Sequence, residues 1–225
     1  MDGDGEPLLQ NAEPPLEFRL GSRLVVAKKA KLLDPRRTVY RLDLKPPPLL
    51  IALIQPVVSL CPWIKARWPE WFLPPTVILK KRKADWEEEF EKEKQVYNVL
   101  KLIQGNIIPH FYGEAVYDGS PTLILSFIDG KTLFELRHDL SEDDLRQGLE
   151  KALAALTSYG VEYTDMKLDN FFMVDGGRVM VIDLEQVELD TTKVWEESVN
   201  RANVQGFMDI LNIRRKLAAH SIMGA

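Results

Sequence analysis

The spacing of apolar side chains changes period several times along this chain of 225 residues. Between Glu17 and Leu44, aliphatic and β-branched residues alternate with basic ones, as in FRLGSRLVV and RTVYRLDL. That alternation predicts two or three short strands. Thr76 to Lys80, TVILK, is a further short apolar strand. From Ala84 to about Ile103 the period turns helical, with Trp86, Phe90, Glu93, Tyr97 and Leu100 on one stripe. Phe111 to Val116 and Leu123 to Ile128 predict two strands joined by a turn at Asp118-Gly119. A second long helix starts at Ser141, where Ser141 and Asp144 form a capping box with Asp in place of Glu, and Gly160 is its stop. Asn170 to Val174 and Arg178 to Ile182 flank Asp175-Gly176-Gly177, a hairpin signal. A last helix is expected from Thr192 to about Ala219. Strands and helices in this order suggest α+β rather than a doubly wound sheet.

Composition narrows the class. A hydrophobic share of 45% with 28% charged residues excludes a wholly disordered chain, a collagen and a coiled coil. One cysteine, Cys61, leaves no intrachain disulfide framework and no cysteine-rich zinc site. His110, His138 and His220 lie far apart, so a histidine-based metal site is not expected. The net charge of −5 hides an asymmetry: Leu16 to Lys83 carries 15 Lys and Arg against 4 Asp and Glu, whereas the remainder is acidic. The basic residues are dispersed, which favours a solvated surface over nucleic-acid binding.

Residues 1–15 are polar and proline-bearing and read as a disordered tail. Their acidic start lacks the basic region of a secretory signal, so a cytoplasmic location is expected, with the nucleus left open. The segment 46–75, rich in Pro and Trp, reads as an insertion or hydrophobic cover. Its uncharged run is broken by Pro56 and Pro62, so burial is favoured over a spanning helix, with peripheral membrane contact by 49–64 left open.

Two sets of residues carry chemistry. Glu93 places a carboxylate on the apolar stripe of its helix, and it needs a cation, a polar cleft or an edge position open to solvent. Lys80, at the end of the preceding strand, is the candidate cation. The loop Tyr163 to Asn170 holds Asp165, Lys167 and Asn170 at the spacing D-x-K-x-x-N, and the apolar strand VMVI delivers Asp183. An Asp there can accept the proton of an attacking hydroxyl, and a Lys can neutralise charge on a moving phosphoryl group. The Asn carbonyl oxygen and a second carboxylate suit a hard cation such as Mg²⁺. Each residue alone is also a common turn former or cap.

With these residues in order, the chain resembles the protein kinase superfamily, in particular the small kinase-like proteins common in fungi. TVILK resembles the V-A-I-K strand, LILSFIDG resembles the fifth strand and hinge, YTDMKLDN resembles the catalytic loop, and Ile182-Asp183-Leu184-Glu185 stands where I-D-F-G would stand. The likeness covers about Thr76 to Glu188. It implies a bilobal kinase-like fold: a mostly antiparallel N-lobe sheet with helix C over 16–128 and a shortened helical C-lobe over 129–225. It also implies roles. Lys80 would hold the α- and β-phosphates of ATP and Glu93 would hold Lys80. Leu125 would guard the nucleotide pocket, Ser126 and Ile128 would bond adenine through their backbone, and Ile78 would lie against its face. Asp165 would orient the acceptor hydroxyl, Lys167 would stabilise the transferring phosphate, and Asn170 and Asp183 would bind Mg²⁺.

The pattern also departs from the family. No glycine-rich loop precedes Lys80, Tyr163 and Thr164 replace His-Arg, and no A-P-E follows. Glu185 in place of the glycine resembles the aminoglycoside and choline phosphotransferases. The implied function is an ATP- and Mg²⁺-dependent phosphotransferase, a Ser/Thr-type protein kinase moving the γ-phosphate of ATP to a hydroxyl. The alternatives are a pseudokinase, a nucleotide-binding or scaffold module without turnover, and a small-molecule kinase of the aminoglycoside or choline type.

Overall fold

Alternation of buried and exposed side chains builds the first of two compact units, Met1–Ala84 with Tyr112–Phe127. The computed structural model describes residues 17–34, 38–47, 62–136 and 141–223. The expected tail at 1–15, residues 48–61 of the Pro- and Trp-rich segment with Cys61, and His138 lie outside the described residues. Six strands form the unit: β1 (Glu17–Leu20), β2 (Arg23–Asp34), β3 (Val39–Leu44), β4 (Thr76–Lys81), β5 (Phe111–Tyr117) and β6 (Ser120–Ser126). They close into an antiparallel barrel in the order β1-β2-β3-β4-β6-β5. Phe18, Val25, Leu42, Val77, Leu79 and Ile124 point into its core. Each such burial contributes about 1.5–3 kcal/mol relative to exposure.

This corrects the expected architecture. The sequence suggests a bilobal kinase-like fold with an N-lobe sheet; the structure shows a closed barrel and four α-helices among the described residues, and a bilobal kinase fold is not indicated. The physical reason is closure. Alternation gives each strand an inner face but does not say that the first and fifth strands meet. They pair through Arg19 opposite Val116 and Leu20 opposite Ala115, which removes the open sheet edges.

The described end of the Pro- and Trp-rich segment forms α1 (Pro62–Arg67) and a 3₁₀ turn, Pro69–Trp71. That turn straps the β1–β2 hairpin. Ser22 Oγ donates to Glu70 Oε1 at 3.1 Å, Arg23 Nη1 donates to the Glu70 carbonyl at 2.8 Å, and the Arg23 guanidinium lies 5.2 Å from the Trp71 ring centroid. Burial lowers the Arg23 pKa, against the opposing pull of Glu70. Gly21 adopts φ +54°, a left-handed backbone that favours glycine, and a Cβ there would stand 2.9 Å from Glu70 Oε1.

The second unit is Asp85–Phe111 with Ile128–Ala225. It contains α2 (Glu87–Val99), β7 (Lys131–Thr132), α3 (Glu142–Ser158), β8 (Val161–Tyr163), β9 (Phe171–Val174), β10 (Arg178–Val181), β11 (Val187–Leu189) and α4 (Val199–Met223). Strands pair as β10-β9-β7 and β11-β8. Helix α2 starts three residues later than the periodicity predicts, because Asp85 sits at φ +60°, outside the helical region. Ser141 caps α3 as expected, accepting from the Asp144 amide, and Leu145, Leu149, Leu153 and Leu156 form its buried stripe. Helix α4 starts at Val199 rather than Thr192. Thr192 is held in a turn by Asp190, whose Oδ1 accepts from the Thr192 amide and hydroxyl at 3.0 and 2.6 Å. Those bonds lower the Asp190 pKa. Two short paired strands, β8 and β11, were not legible as strands, since three residues are too few to show a period.

Candidate functional site

The polar loop between β8 and β9 is organised from below by a buried network. Asn200, fully buried near the start of α4, accepts from the Tyr163 amide at 2.8 Å and donates to the Val161 carbonyl at 2.7 Å and Thr157 Oγ1 at 2.9 Å. Glu162 accepts from Ser198 Oγ and from the Val199 amide, each at 2.6 Å. The second bond satisfies a free amide at the α4 N-terminus, where a carboxylate is favoured. Asn203 Nδ2 donates to the Tyr163 carbonyl at 2.7 Å. Tyr163 is thereby fixed at both backbone groups, and its ring packs edge-on against Phe171, 5.4 Å away.

Tyr163 passes that fixity upward. Its hydroxyl donates to the Ile182 carbonyl at 2.9 Å. The Ile182 amide donates to the Asn170 carbonyl at 2.9 Å, so the residue before Asp183 is tied both to β8 and to the 3₁₀ turn Leu168–Asn170. Thr164 Oγ1 donates to the Gln186 carbonyl, a third tie between the same segments. Asp183 itself adopts φ +62° and ψ +67°, a left-handed conformation unusual outside glycine and best tolerated by Asp and Asn.

Asp165 is the hub of the loop. Its Oδ2 accepts from Lys167 Nζ at 2.8 Å and from Asn170 Nδ2 at 3.0 Å. Asn170 Nδ2 also reaches the Asp165 carbonyl at 3.1 Å. No donor reaches Asp165 Oδ1 among the described residues, so one carboxylate oxygen stays open as an acceptor. The same bonds use the Nδ2 of Asn170 and not its Oδ1. Asp183, Glu185 and Asn170 are all buried. Helix α2 packs against the 3₁₀ turn Leu184–Gln186 that follows Asp183. On that helix Glu93 is buried, and Tyr97 is fully buried. Burial, reinforced by the negative Glu93 and Asp183 and by Tyr163, holds the Tyr97 phenol well above its ordinary range.

The structure therefore gathers Glu93, Asp165, Lys167, Asn170 and Asp183 in the second unit. Ile128 belongs to the same unit and packs with Val174 and Met180. Ile78, Lys80, Leu125 and Ser126 belong to the barrel unit. There Val77 and Leu79 fill the core, so Ile78 and Lys80 point off the opposite face of β4. Ile78 is paired with Leu125 and Lys80 with Leu123 on β6, so Ile78, Lys80 and Leu125 share one face. Sequence reasoning missed the supporting residues Glu162 and Asn200, and it placed Tyr97 on the buried stripe without giving it a part in the site. A lone acid inside the apolar triplet VEY was the available signal for Glu162, since a buried carboxylate demands partners.

Among the described residues no group of three or more His, Cys, Asp or Glu side chains gathers to hold a metal. Mg²⁺ bound with a nucleotide would draw most of its ligands from the phosphates and water and would need only one or two protein oxygens, for which Asn170 Oδ1 and the Asp183 carboxylate are the candidates.

The Tyr97 hydroxyl has no hydrogen-bond partner among the described residues. A buried hydroxyl in that state costs roughly 1–3 kcal/mol. Tyr97→Phe, which deletes one oxygen and keeps the ring, is expected to raise stability by about 1 kcal/mol. A urea melt would show a higher midpoint at unchanged slope; a lower midpoint would mean that the hydroxyl is bonded in solution.

Compared with known proteins, the chain matches no protein-family model and no curated protein at a significant level.

Proposed function

We propose that this protein is an ATP- and Mg²⁺-dependent phosphotransferase that moves the γ-phosphate of ATP to a hydroxyl. The observation that carries the reading is Asp165, with Oδ2 clamped by Lys167 and Asn170 and Oδ1 left to accept. In this reading Asp165 Oδ1 takes the hydrogen bond, and then the proton, of the acceptor hydroxyl as its oxygen bonds to phosphorus and the bond to ADP breaks. Lys167, mostly exposed, offers its positive charge to the phosphoryl oxygens on transfer. Asn170 and Asp183 would hold Mg²⁺, which supplies charge neutralisation on the phosphates when bound. Such chemistry relies on positioning and electrostatics, and the ties through Tyr163 supply the positioning. The acceptor is a protein Ser or Thr or a small alcohol, and the setting is the cytoplasm or nucleus. Among the described residues no helix is long and apolar enough to cross a membrane.

One observation favours a second reading, a nucleotide-binding module without turnover. The β1–β2 turn has a single glycine, Gly21, and Glu70 straps it. The two readings separate in one experiment: a thermal melt with ATP, with and without Mg²⁺, alongside ADP release in the presence of a generic protein acceptor. The proposal expects a higher midpoint with ATP, a further rise with Mg²⁺, and ADP accumulation. A rise without ADP supports the module, and no rise in either condition sinks both.

A further inference from the structure

The structure gives the Pro- and Trp-rich segment a surface that its sequence alone did not show. Trp63 is 66% exposed and Trp68 is 44% exposed, so two of the segment's three indoles turn outward, while Trp71 packs against Arg23. Both flank the last turn of α1, which carries Lys65 and Arg67 and no acidic residue. The Arg67 guanidinium lies 5.8 Å from the Trp68 ring centroid. From Lys45 to Ala84 the sequence has seven Lys and Arg and one acid, Glu70. That acid is buried and engaged with Ser22, and of the seven cations Lys80 is buried and Lys81 is paired with Asp118, so the positive charge beside the two indoles is that of Lys65 and Arg67. Immediately before Trp63, residues 46–62 carry no charge at all.

Exposed indoles beside cations are the combination that favours a lipid–water boundary. The indole body partitions among headgroups and the cations meet anionic lipids. Neither property alone would be informative: single exposed apolar residues are common, and basic surfaces are usually just solvated. Here they coincide on one short helix and its C-terminal flank, next to an uncharged run. We infer that Trp63, Lys65, Arg67 and Trp68 form a peripheral docking surface for anionic phospholipid membranes. The absence of a spanning helix among the described residues fits docking on the surface. This inference is independent of the phosphotransferase reading.

The test is co-sedimentation of the full chain with vesicles of phosphatidylcholine alone and of phosphatidylcholine and phosphatidylserine at about 7:3. Binding is expected to the serine-lipid vesicles only, falling about tenfold when salt rises from low to several-fold above physiological strength. Trp63→Ala with Trp68→Ala is expected to lower binding about tenfold, and so, separately, is Lys65→Glu with Arg67→Glu. Because Trp63 and Trp68 are exposed, the thermal melt of the tryptophan variant should match the parent, which separates lost docking from lost fold. Equal binding to both vesicle types, or unchanged binding by both variants, overturns the inference. So does a parent protein that self-associates through these tryptophans, seen as a dimer by light scattering that Trp63→Ala with Trp68→Ala dissolves.

Discussion

Asp165→Asn is expected to lower phosphoryl transfer at least about a hundredfold while leaving Mg²⁺-dependent ATP binding within about twofold, and Asp183→Asn is expected to do the reverse to binding. The contrast follows from where each carboxylate stands. Asp165 has one oxygen saturated by Lys167 and Asn170 and one open, so its charge serves a proton acceptor. An amide at that position keeps the shape but cannot take the proton. Its neighbours survive the change, since Asn170 Nδ2 still reaches the residue 165 carbonyl. Asp183 is buried beside Asn170 and holds a left-handed backbone that Asn tolerates, so the replacement preserves the turn and removes the charge that would meet Mg²⁺. Two measurements decide. ADP release under saturating nucleotide reads the first variant. The difference between ATP melts with and without Mg²⁺ reads the second, and should vanish. If Asp165→Asn releases ADP like the parent, Asp165 is not the proton acceptor. If Asp183→Asn keeps the full Mg²⁺ effect, the metal is held elsewhere.

Local structure was legible in the sequence and closure was not. The stripe Trp86–Phe90–Glu93–Tyr97–Leu100 identified α2 because side chains three and four apart share a helix face, and Phe90, Glu93, Tyr97 and Leu100 are indeed buried. Ser141 and Gly160 bounded α3, since caps act within one turn. The Asp118-Gly119 and Gly176-Gly177 turns were readable because left-handed backbone demands those residues, and all four have positive φ. The D-x-K-x-x-N loop was readable for the same reason: Asp165, Lys167 and Asn170 are close in sequence, and a tight turn keeps them close in space. What failed depends on distant residues. Pairing of β1 with β5 joins segments nearly a hundred residues apart, and no local pattern encodes it. The true start of α4 is set by Glu162, far away in sequence, which holds the Val199 amide. The outward Trp63 depends on which apolar residues the fold has room to bury, and composition does not say.

The same dependence on distant partners makes Asn200→Ala the most damaging single change expected for stability, at about 3–5 kcal/mol. Asn200 is fully buried, and its side chain serves three groups at short range: the Tyr163 amide, the Val161 carbonyl and Thr157 Oγ1. Alanine abandons all three in a place water does not reach, and each orphaned group costs roughly 1–3 kcal/mol. Thr157 retains Ser198 and the Leu153 carbonyl, so the loss falls mainly on β8. For a chain of this size, that cost lowers the melting midpoint by roughly 10 °C. Asn203→Ala is the internal control. Among the described residues the Asn203 side chain makes a single bond, to the Tyr163 carbonyl, from a partly exposed position, and its loss should cost about 1 kcal/mol. Asn200→Asp should not rescue: it keeps an acceptor for the Tyr163 amide but loses the donors and adds a buried charge beside the network that holds Glu162. The consequence reaches the loop as well. With its backbone loosened, Tyr163 holds the Ile182 carbonyl less firmly, so ADP release should fall at temperatures where the variant is still folded. Urea melts of the three variants check the ranking. A loss below about 1 kcal/mol for Asn200→Ala would mean that β8 is held by packing alone and that the network does not position the loop.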